Sequence, residues 1–485
     1  MNAAETKPNS AFLLPVAILG ISVLGVYIAI YRPFYLSNAY YLGALIFLQI
    51  LFAAVWNYRD RFFPLLVAVF LWAGISLPFN GVWTVGRWWV LAVGAIVGFA
   101  LYMRTDQHRF GSFHLVAFFC VLAAFVSGVV SSLPVMSLLK ALSLLLLFLY
   151  GSTGARLALA GREDRFLLRL LFLMEILMYF SMVVYLIFRF PVFGNPNSMG
   201  AIMGVIAVPL LFWGVLISEG RDQRRRMVFA LSMGVFLLLY SQGRAGILAA
   251  ALVCALTCIA LRRYRLLIQG FMVAAGVAGL VVILTPSEQL EDMPTRHDSS
   301  VSSFFLYKGH EELTVLGSRE SVWSDTAAVI REHPWLGSGF GTSARSGAQD
   351  MGFGKYASVS YTNREHGNSY LAILEGMGLV GVVPFFSLVL MLALKVGRVF
   401  ARLRRTMNLR HCSVPVAMIL AAGLIHAGFE DWLFAVGYYL CVFFWMLAFA
   451  FLDILPASSP AHYRPITDFA FRAHPQSLPA VASER

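Results

Sequence analysis

Arginine and histidine side chains near the ends of apolar segments are the groups in this sequence best suited to act on a charged substrate. Arg244 lies in a tight turn at 241–246 (SQGRAG), and Arg189 directly precedes a second turn at 191–197. A guanidinium group pairs with phosphate oxygens through two parallel hydrogen bonds. We therefore predict that Arg189 and Arg244 form a clamp for a phosphate-bearing ligand.

His366 is a candidate proton acceptor. It lies in the segment 364–371 (REHGNSYL), where a polar stretch runs into an apolar one. An imidazole with a pKa near 6.5 can accept a proton at neutral pH, although an isolated histidine is more often only a polar surface group. His426, Glu430 and Asp431 are weaker candidates near another segment end, because ionisable groups within a membrane protein are candidates for function.

The elements that position these residues are predicted to be membrane helices. Of the 485 residues, 59% are hydrophobic and only 13% are charged, and the mean hydropathy is +0.75. A soluble core could not bury that much apolar surface, so we expect an all-α, polytopic membrane protein with about 12–14 transmembrane helices. The predicted spans are 11–31, 38–56, 62–78, 87–103, 113–131, 135–151, 167–188, 197–217, 227–241, 245–261, 265–284, 368–394, 413–430 and 433–453.

The distribution of positive charge predicts the orientation of these spans. With the N-terminus inside, the inside loops hold 20 Lys and Arg residues, whereas the short outside loops hold only four. Inside loops of membrane proteins are enriched in these residues. We therefore place both termini in the cytoplasm, and the net charge of +12 needs no nucleic-acid partner.

The same alternation predicts four parts of the chain. Residues 1–284 form transmembrane helices 1–11, and 285–366 form a large, partly helical extracytoplasmic loop with 7 basic and 11 acidic residues. Residues 367–453 return to the membrane, and the Pro-, Ala- and Ser-rich residues 454–485 form a disordered cytoplasmic tail. The histidines and acids show no metal-ligand spacing, so we expect neither a metal nor a cofactor.

One helix is predicted within the large loop. Ser318 can cap its start, and Trp323, Ala327 and Ile330 fall on one face at helical spacing together with Arg319. The His-Pro pair at 333–334 ends the helix, and a glycine-rich stretch (GSGFG, 337–341) follows.

Together these motifs resemble the O-antigen ligase and polymerase superfamily, over roughly residues 190–400. The turn NPN (195–197), the turn SQGRAG (241–246), and the stretch from Arg319 through Trp323 and HP to GSGFG (319–341) are each similar to a family motif. So is HGNSYL at 366–371, followed by Glu375 and Gly378, with an extra glycine inserted after the histidine. The stretch 319–341 is the most specific of these matches.

The resemblance implies a metal-independent, inverting glycosyltransferase, most like an O-antigen ligase. Such an enzyme lies in the bacterial inner membrane and moves a glycan from undecaprenyl diphosphate to an acceptor hydroxyl, here that of lipid A–core oligosaccharide. The reaction takes place on the periplasmic face, where the loop 285–366 would lie. We expect His366 to be the base, oriented by Glu365. We expect the substrate to be bound by Arg189, Arg244, Arg319, Asn197 and Asn368.

Two other functions fit parts of the pattern. A polymerase of O-antigen or exopolysaccharide from the same superfamily would share all of these residues. A non-enzymatic transporter of lipid-linked glycan would need ionisable groups near the middle of the membrane. Only Lys140 and Glu175 stand out there, which favours chemistry at the outer surface.

Overall fold

The computed structural model describes most of the helical part of the chain. The described residues are 10–34, 41, 44–45, 47–49, 51–52, 59–75, 80–105, 110–188, 193, 196–284, 317–342 and 366–455. Within these ranges the chain is helical and forms no β-strand. Six helices are long and apolar enough to cross a membrane, and five more are apolar but shorter. The predicted class, an all-α polytopic membrane protein, is therefore confirmed.

The helices follow the predicted spans closely, apart from 38–56, which is described only in part. Apart from the polar helix α11 in the predicted loop, they arise from apolar runs of about 20 residues. An α-helix turns such a run into about 30 Å of lipid-compatible surface with its backbone hydrogen bonds satisfied. The helices are α1 Ser10–Tyr31, α2 Arg59–Gly74, α3 Asn80–Tyr102, α4 Ser112–Val130, α5 Pro134–Leu159, α6 Glu163–Ile187, α7 Pro196–Ile217, α8 Arg221–Tyr240, α9 Arg244–Ala260, α10 Tyr264–Leu284, α11 Gly317–Glu332, α12 Ser369–Thr406, α13 Ser413–Ala427 and α14 Tyr439–Ile454.

Helix α14 lies at the centre of the bundle. It is apolar on every side, and all but two of its residues are buried. A helix with no polar stripe must be surrounded by other helices or by lipid, and α14 packs against α2, α5 and α13. On the other side of the bundle, α12 packs against α4 and α13, and α9 packs against α13.

The four predicted parts of the chain stay a prediction. Of the loop 285–366 the structure describes residues 317–342 and 366, and of the tail 454–485 it describes 454 and 455. Helix α11 ends at Glu332, directly before the predicted stop at 333–334. Its most buried side chains are Thr326 and Val329, so the buried face is rotated from the predicted one at Trp323, Ala327 and Ile330, which are only partly buried.

Helix α12 is broken at Gly378, which has φ 63° and ψ −175°. A break leaves carbonyls without partners on one side and N–H groups on the other. The segment 334–339 satisfies both sets. The N–H groups of Ser338 and Gly339 donate to the carbonyls of Glu375 and Gly376, at 2.9 and 3.1 Å. The N–H groups of residues 379 and 380 donate to the carbonyls of 334 and 335.

The glycines of this segment allow the two backbones to approach so closely. A Cβ atom on Gly337, which has φ +74°, would lie 2.3 Å from the backbone of Gly376. No side chain fits at that distance, and a left-handed backbone disfavours any residue with a Cβ. We call the paired segments 334–339 and 375–380 the backbone clasp. It fixes the segment after α11 to the first part of α12.

Candidate active site

His366 is the centre of the candidate site. It lies three residues before α12 and is 8% exposed. Its Nδ1 atom lies 2.6 Å from Asp431 Oδ2 in a hydrogen bond. Its Nε2 atom lies 3.2 Å from Glu375 Oε2, an ion-pair contact rather than an aligned hydrogen bond. We call His366, Asp431 and Glu375 the triad.

Ser369 explains why Asp431 reaches His366. The Ser369 hydroxyl donates to the carbonyl of Glu430 at 2.6 Å and accepts from the N–H groups of Trp432 and Leu433 at 3.0 and 3.1 Å. These three bonds tie the chain on either side of Asp431 to the first turn of α12. The carboxylate is thereby held beside the histidine, although it belongs to the connection between α13 and α14.

Glu375 is positioned by the backbone clasp. It lies on α12 almost two turns after its start and is fully buried, and its own carbonyl accepts from the N–H of Ser338. The segment after α11 therefore contacts the backbone of the same residue whose carboxylate faces His366. A change in the docking of this segment would move the carboxylate.

The two carboxylates hold His366 in its charged form. Burial alone would lower the pKa of His366, but the hydrogen bond with Asp431 and the contact with Glu375 outweigh burial, and the pKa rises from 6.5 to about 9. The ring is therefore an imidazolium between two carboxylates at neutral pH. Since both carboxylates contact the ring, the protons of these three groups are best described as belonging to the triad together.

Lys140 adds a second cation close to the triad. Its ammonium group donates to the carbonyl of Gly341, and its charge interacts with that of Asp431. Gly341 lies two residues after the segment 334–339 of the clasp, so this bond extends the docking of that segment onto α5. The sequence had marked Lys140 as a charged residue within a predicted span, and the structure brings it to the site.

Arg244 and Asn197 lie at one corner, where α7 and α9 cross. A Cβ atom on Gly200 would lie 3.2 Å from Gly243 Cα, and one on Gly246 would lie 2.3 Å from the Gly200 carbonyl. The two backbones therefore touch just after Asn197 and on either side of Arg244. The structure thus brings together the two turns from which these predicted substrate ligands come.

The connection from α13 to α14 links this corner with the triad. Asp431 contacts His366 near its beginning, and at its end the Tyr439 hydroxyl donates to the carbonyl of Ser198, next to Asn197, at 3.5 Å. Arg87 holds the same connection through a 2.6 Å hydrogen bond to the carbonyl of Gly437.

The starts of four helices, α7, α9, α12 and α14, therefore lie on one face of the bundle. Each helix N-terminus carries a partial charge of about +0.5. Unpaired backbone N–H groups at such ends bind phosphate and other anions. The partial positive charges of these helix ends favour an anionic ligand at this face, before any arginine is considered, although at α12 the first N–H groups are already capped by Asn368.

Asn368 has a structural role. Its side-chain oxygen accepts from the N–H groups of Tyr370 and Leu371, at 2.8 and 3.2 Å, and so caps the start of α12. Such a cap stabilises a helix by about 1 kcal/mol. The predicted contact of Asn368 with substrate stays a prediction, and the oxygen is already used by the helix.

The remaining predicted site residues are described only in part. Arg189 and Glu365 lie outside the described residues, and of Arg319 the structure describes the backbone, in the first turn of α11. Their roles stay predictions. Asp431, a weaker candidate in the sequence, makes the contact with the ring that was expected from Glu365. Among the described residues no cluster of histidines, cysteines and acids has the geometry of a metal site.

The fold and the site define a polytopic helical membrane protein with a buried, charged triad beside a broken helix. A family model of the O-antigen ligase matches residues 227–386, about a third of the chain, from α8 to the middle of α12. The match includes Arg244, His366 and Glu375. It supports the O-antigen ligase superfamily and so confirms the resemblance seen in the motifs. No curated protein matches the chain.

Proposed function

We propose that this protein is an O-antigen ligase-like glycosyltransferase. It would transfer a glycan from undecaprenyl diphosphate to a hydroxyl of lipid A–core oligosaccharide on the periplasmic face, with inversion at the anomeric carbon. The observation that carries the proposal is the triad, in which a buried histidine lies between Asp431 and Glu375 next to a face of helix N-termini. A buried charged group of this kind, in a family of glycan transferases, is a candidate for acid–base chemistry.

The triad suits the activation of a hydroxyl group. In the reacting form, Asp431 accepts a hydrogen bond from Nδ1–H of His366, which leaves Nε2 as the acceptor of the hydroxyl proton. The acceptor oxygen forms a bond to the anomeric carbon while the bond from that carbon to the phosphate oxygen breaks. The proton moves to Nε2, and the electron pair of the broken bond leaves with the lipid diphosphate.

The charge that develops on the lipid diphosphate needs a positive environment. Arg244 and the N-termini of α7, α9, α12 and α14 can supply it without reorganisation, which is the most effective kind of electrostatic stabilisation. Lys140 adds a charge on the side of the triad. Arg189 and Arg319 would complete the set of cations.

A transfer assay with purified components tests the proposal. The protein is incubated in detergent with glycan linked to undecaprenyl diphosphate and with lipid A–core, and the products are separated by size. A core that carries the glycan, formed equally well in EDTA, is the expected result. Activity that is lost in EDTA and restored by a divalent ion would contradict the metal-free mechanism.

The same assay separates the two other functions. Chains of increasing repeat number formed without lipid A–core would identify a polymerase. The absence of any glycosidic product, together with movement of the lipid-linked glycan across reconstituted vesicles, would identify a transporter. Either outcome would overturn the ligase reaction.

A further inference from the structure

A groove lined by arginines lies at the other end of the bundle from the triad. Arg262, Arg404 and Arg405 line it together with Ala401 and Met407, and its volume is about 660 Å³. It lies between the C-terminal ends of α9 and α12. The starts of these two helices lie on the face of the triad, so the groove belongs to the opposite face, which the charge distribution predicts to be cytoplasmic.

The backbone at the two helix ends shapes the groove. Arg262 has φ +54° and Met407 has φ +55°, so both follow their helices in the left-handed conformation. This conformation is uncommon for residues other than glycine, and such residues are concentrated at functional sites. Arg262 and Met407 each change the chain direction at a helix end, and the side chains of both line the groove.

The groove has a net positive charge. No acidic residue lines it, and none of the three arginines forms an ion pair with any residue that the structure describes. The two helix C-termini contribute about −0.5 each. Three guanidinium groups outweigh them and leave an excess of about two positive charges.

The groove lies at the level of lipid headgroups. Helix α9 has 17 residues and is therefore about 25 Å long, slightly less than the hydrocarbon core of a bilayer, which is about 30 Å thick. Arg262 lies two residues after the end of this helix and cannot extend far beyond the headgroups. Met407 adds an apolar contact, because its side chain is 48% exposed.

From these observations we propose that the groove binds the phosphate of an anionic phospholipid in the leaflet on this face. Guanidinium groups bind phosphate oxygens through two hydrogen bonds, and basic pockets of membrane proteins on this face bind anionic headgroups. An exposed methionine at the rim suits an acyl chain rather than a free ion. Enrichment of arginine in inside loops accounts for the number of these residues. This general enrichment does not explain why three arginines line one groove that has no acidic residue in its lining.

Lipid binding to matched variants tests the proposal. The full-length protein is purified in neutral detergent, and the binding of short-chain phosphatidylglycerol is measured by native mass spectrometry. The groove variant combines Arg262→Gln, Arg404→Gln and Arg405→Gln. The control combines Arg221→Gln, Arg224→Gln and Arg225→Gln, which removes three exposed arginines from the start of α8. We expect the groove variant to bind at least about ten-fold more weakly than wild type and the control to bind within about two-fold of it.

The outcomes against the proposal are distinct. Equal weakening in the groove variant and the control would mean that the whole basic face attracts anionic lipid, without a site. Phosphatidylcholine that binds as tightly as phosphatidylglycerol would exclude recognition of charge. Inorganic phosphate that competes at the same concentration as phosphatidylglycerol would assign the groove to a free anion. If the triple variant does not fold, Arg404→Gln against Arg224→Gln gives the same comparison with an expected difference of a few-fold.

Discussion

His366 Nδ1 lies 2.6 Å from Asp431 Oδ2, although 65 positions separate the two residues in the chain. The contact fixes which ring nitrogen can accept a proton. Nδ1 is occupied by its hydrogen bond to Asp431, which leaves Nε2, on the side of Glu375, as the nitrogen that can react. A carboxylate in this position orients the imidazole and stabilises the charge that it gains as a base. The proposed reaction therefore depends on a residue from the connection between α13 and α14.

Replacement of His366 should abolish transfer without unfolding the protein. His366→Gln removes the proton acceptor but keeps a side chain that can donate to Asp431. We expect the transfer rate to fall about 100- to 10,000-fold, the usual contribution of general base catalysis. His333→Gln is the control, because His333 is exposed at the end of α11 and should leave the rate unchanged. Full activity of purified, folded His366→Gln would mean that another group is the base.

The pH dependence of kcat/KM should report the raised pKa of His366. With a pKa of about 9, only about 1% of the rings are neutral at pH 7. We expect kcat/KM to rise about ten-fold per pH unit from neutral pH and to level off near pH 9, since this parameter follows the ionisation of the free enzyme.

Glu375→Gln should move this rise to lower pH. The substitution removes one of the two negative charges that raise the pKa of His366 and nearly preserves the shape of the side chain. Glu332→Gln, at the exposed end of α11, should leave the profile in place. An identical profile for wild type and Glu375→Gln would show that the contact between Glu375 and His366 does not set the ionisation of the base.

The stability of the protein should fall as the pH rises from about 6.5 to about 9. The folded-state pKa of His366, about 9, lies above its ordinary value of 6.5, so the stabilisation is fully present below pH 6.5 and is lost between 6.5 and about 9. The difference corresponds to about 3 kcal/mol. Thermal unfolding in detergent from pH 6 to 10 measures it. The decline should be smaller in His366→Gln, and an equal decline in both proteins would contradict the charged triad.

The helices and the reactive residue types could be predicted from the sequence, because both depend on local information. An apolar run of about 20 residues specifies a membrane helix wherever it packs, and Arg244 and His366 stand out as charged groups between apolar runs. The partner of His366 could not be predicted. Asp431 reaches it only through the three hydrogen bonds of Ser369, and contacts across so many residues leave no local signal.

The role of Lys140 could not be predicted from the sequence for a different reason. Hydropathy places it within a span, where a charge suggests a transport path. In the structure, the backbone clasp instead packs the segment after α11 against α12. The ammonium group of Lys140 can therefore donate to the carbonyl of Gly341. The two glycine-rich stretches, at 337–341 and 376–378, were the available signal. Their pairing with each other is a tertiary contact that neither stretch specifies alone.

Arg244→Lys should impair transfer although it keeps the charge. Lysine offers a point charge and cannot form the two parallel hydrogen bonds of a guanidinium group with a diphosphate. We expect kcat to fall at least about ten-fold, which is less than the loss of about 100- to 1,000-fold seen when a donor to a developing negative charge is removed outright. Arg224→Lys, on the exposed start of α8, is the control. Wild-type kinetics of Arg244→Lys would rule out the predicted clamp.

Gly337→Ala should open the backbone clasp. The added Cβ would lie 2.3 Å from the backbone of Gly376, at a residue with φ +74°, so the segment must move away from α12. We expect a loss of about 2–4 kcal/mol in stability, since overpacking and strain add. We also expect reduced transfer, because the clasp holds Glu375. Gly397→Ala is the matched control on α12, where nothing lies within 4 Å of the new Cβ, and a helical alanine should raise stability by up to about 1 kcal/mol. If Gly337→Ala and Gly397→Ala have the same thermal stability and the same transfer rate, the contact between the segment after α11 and the broken helix does not contribute to the site.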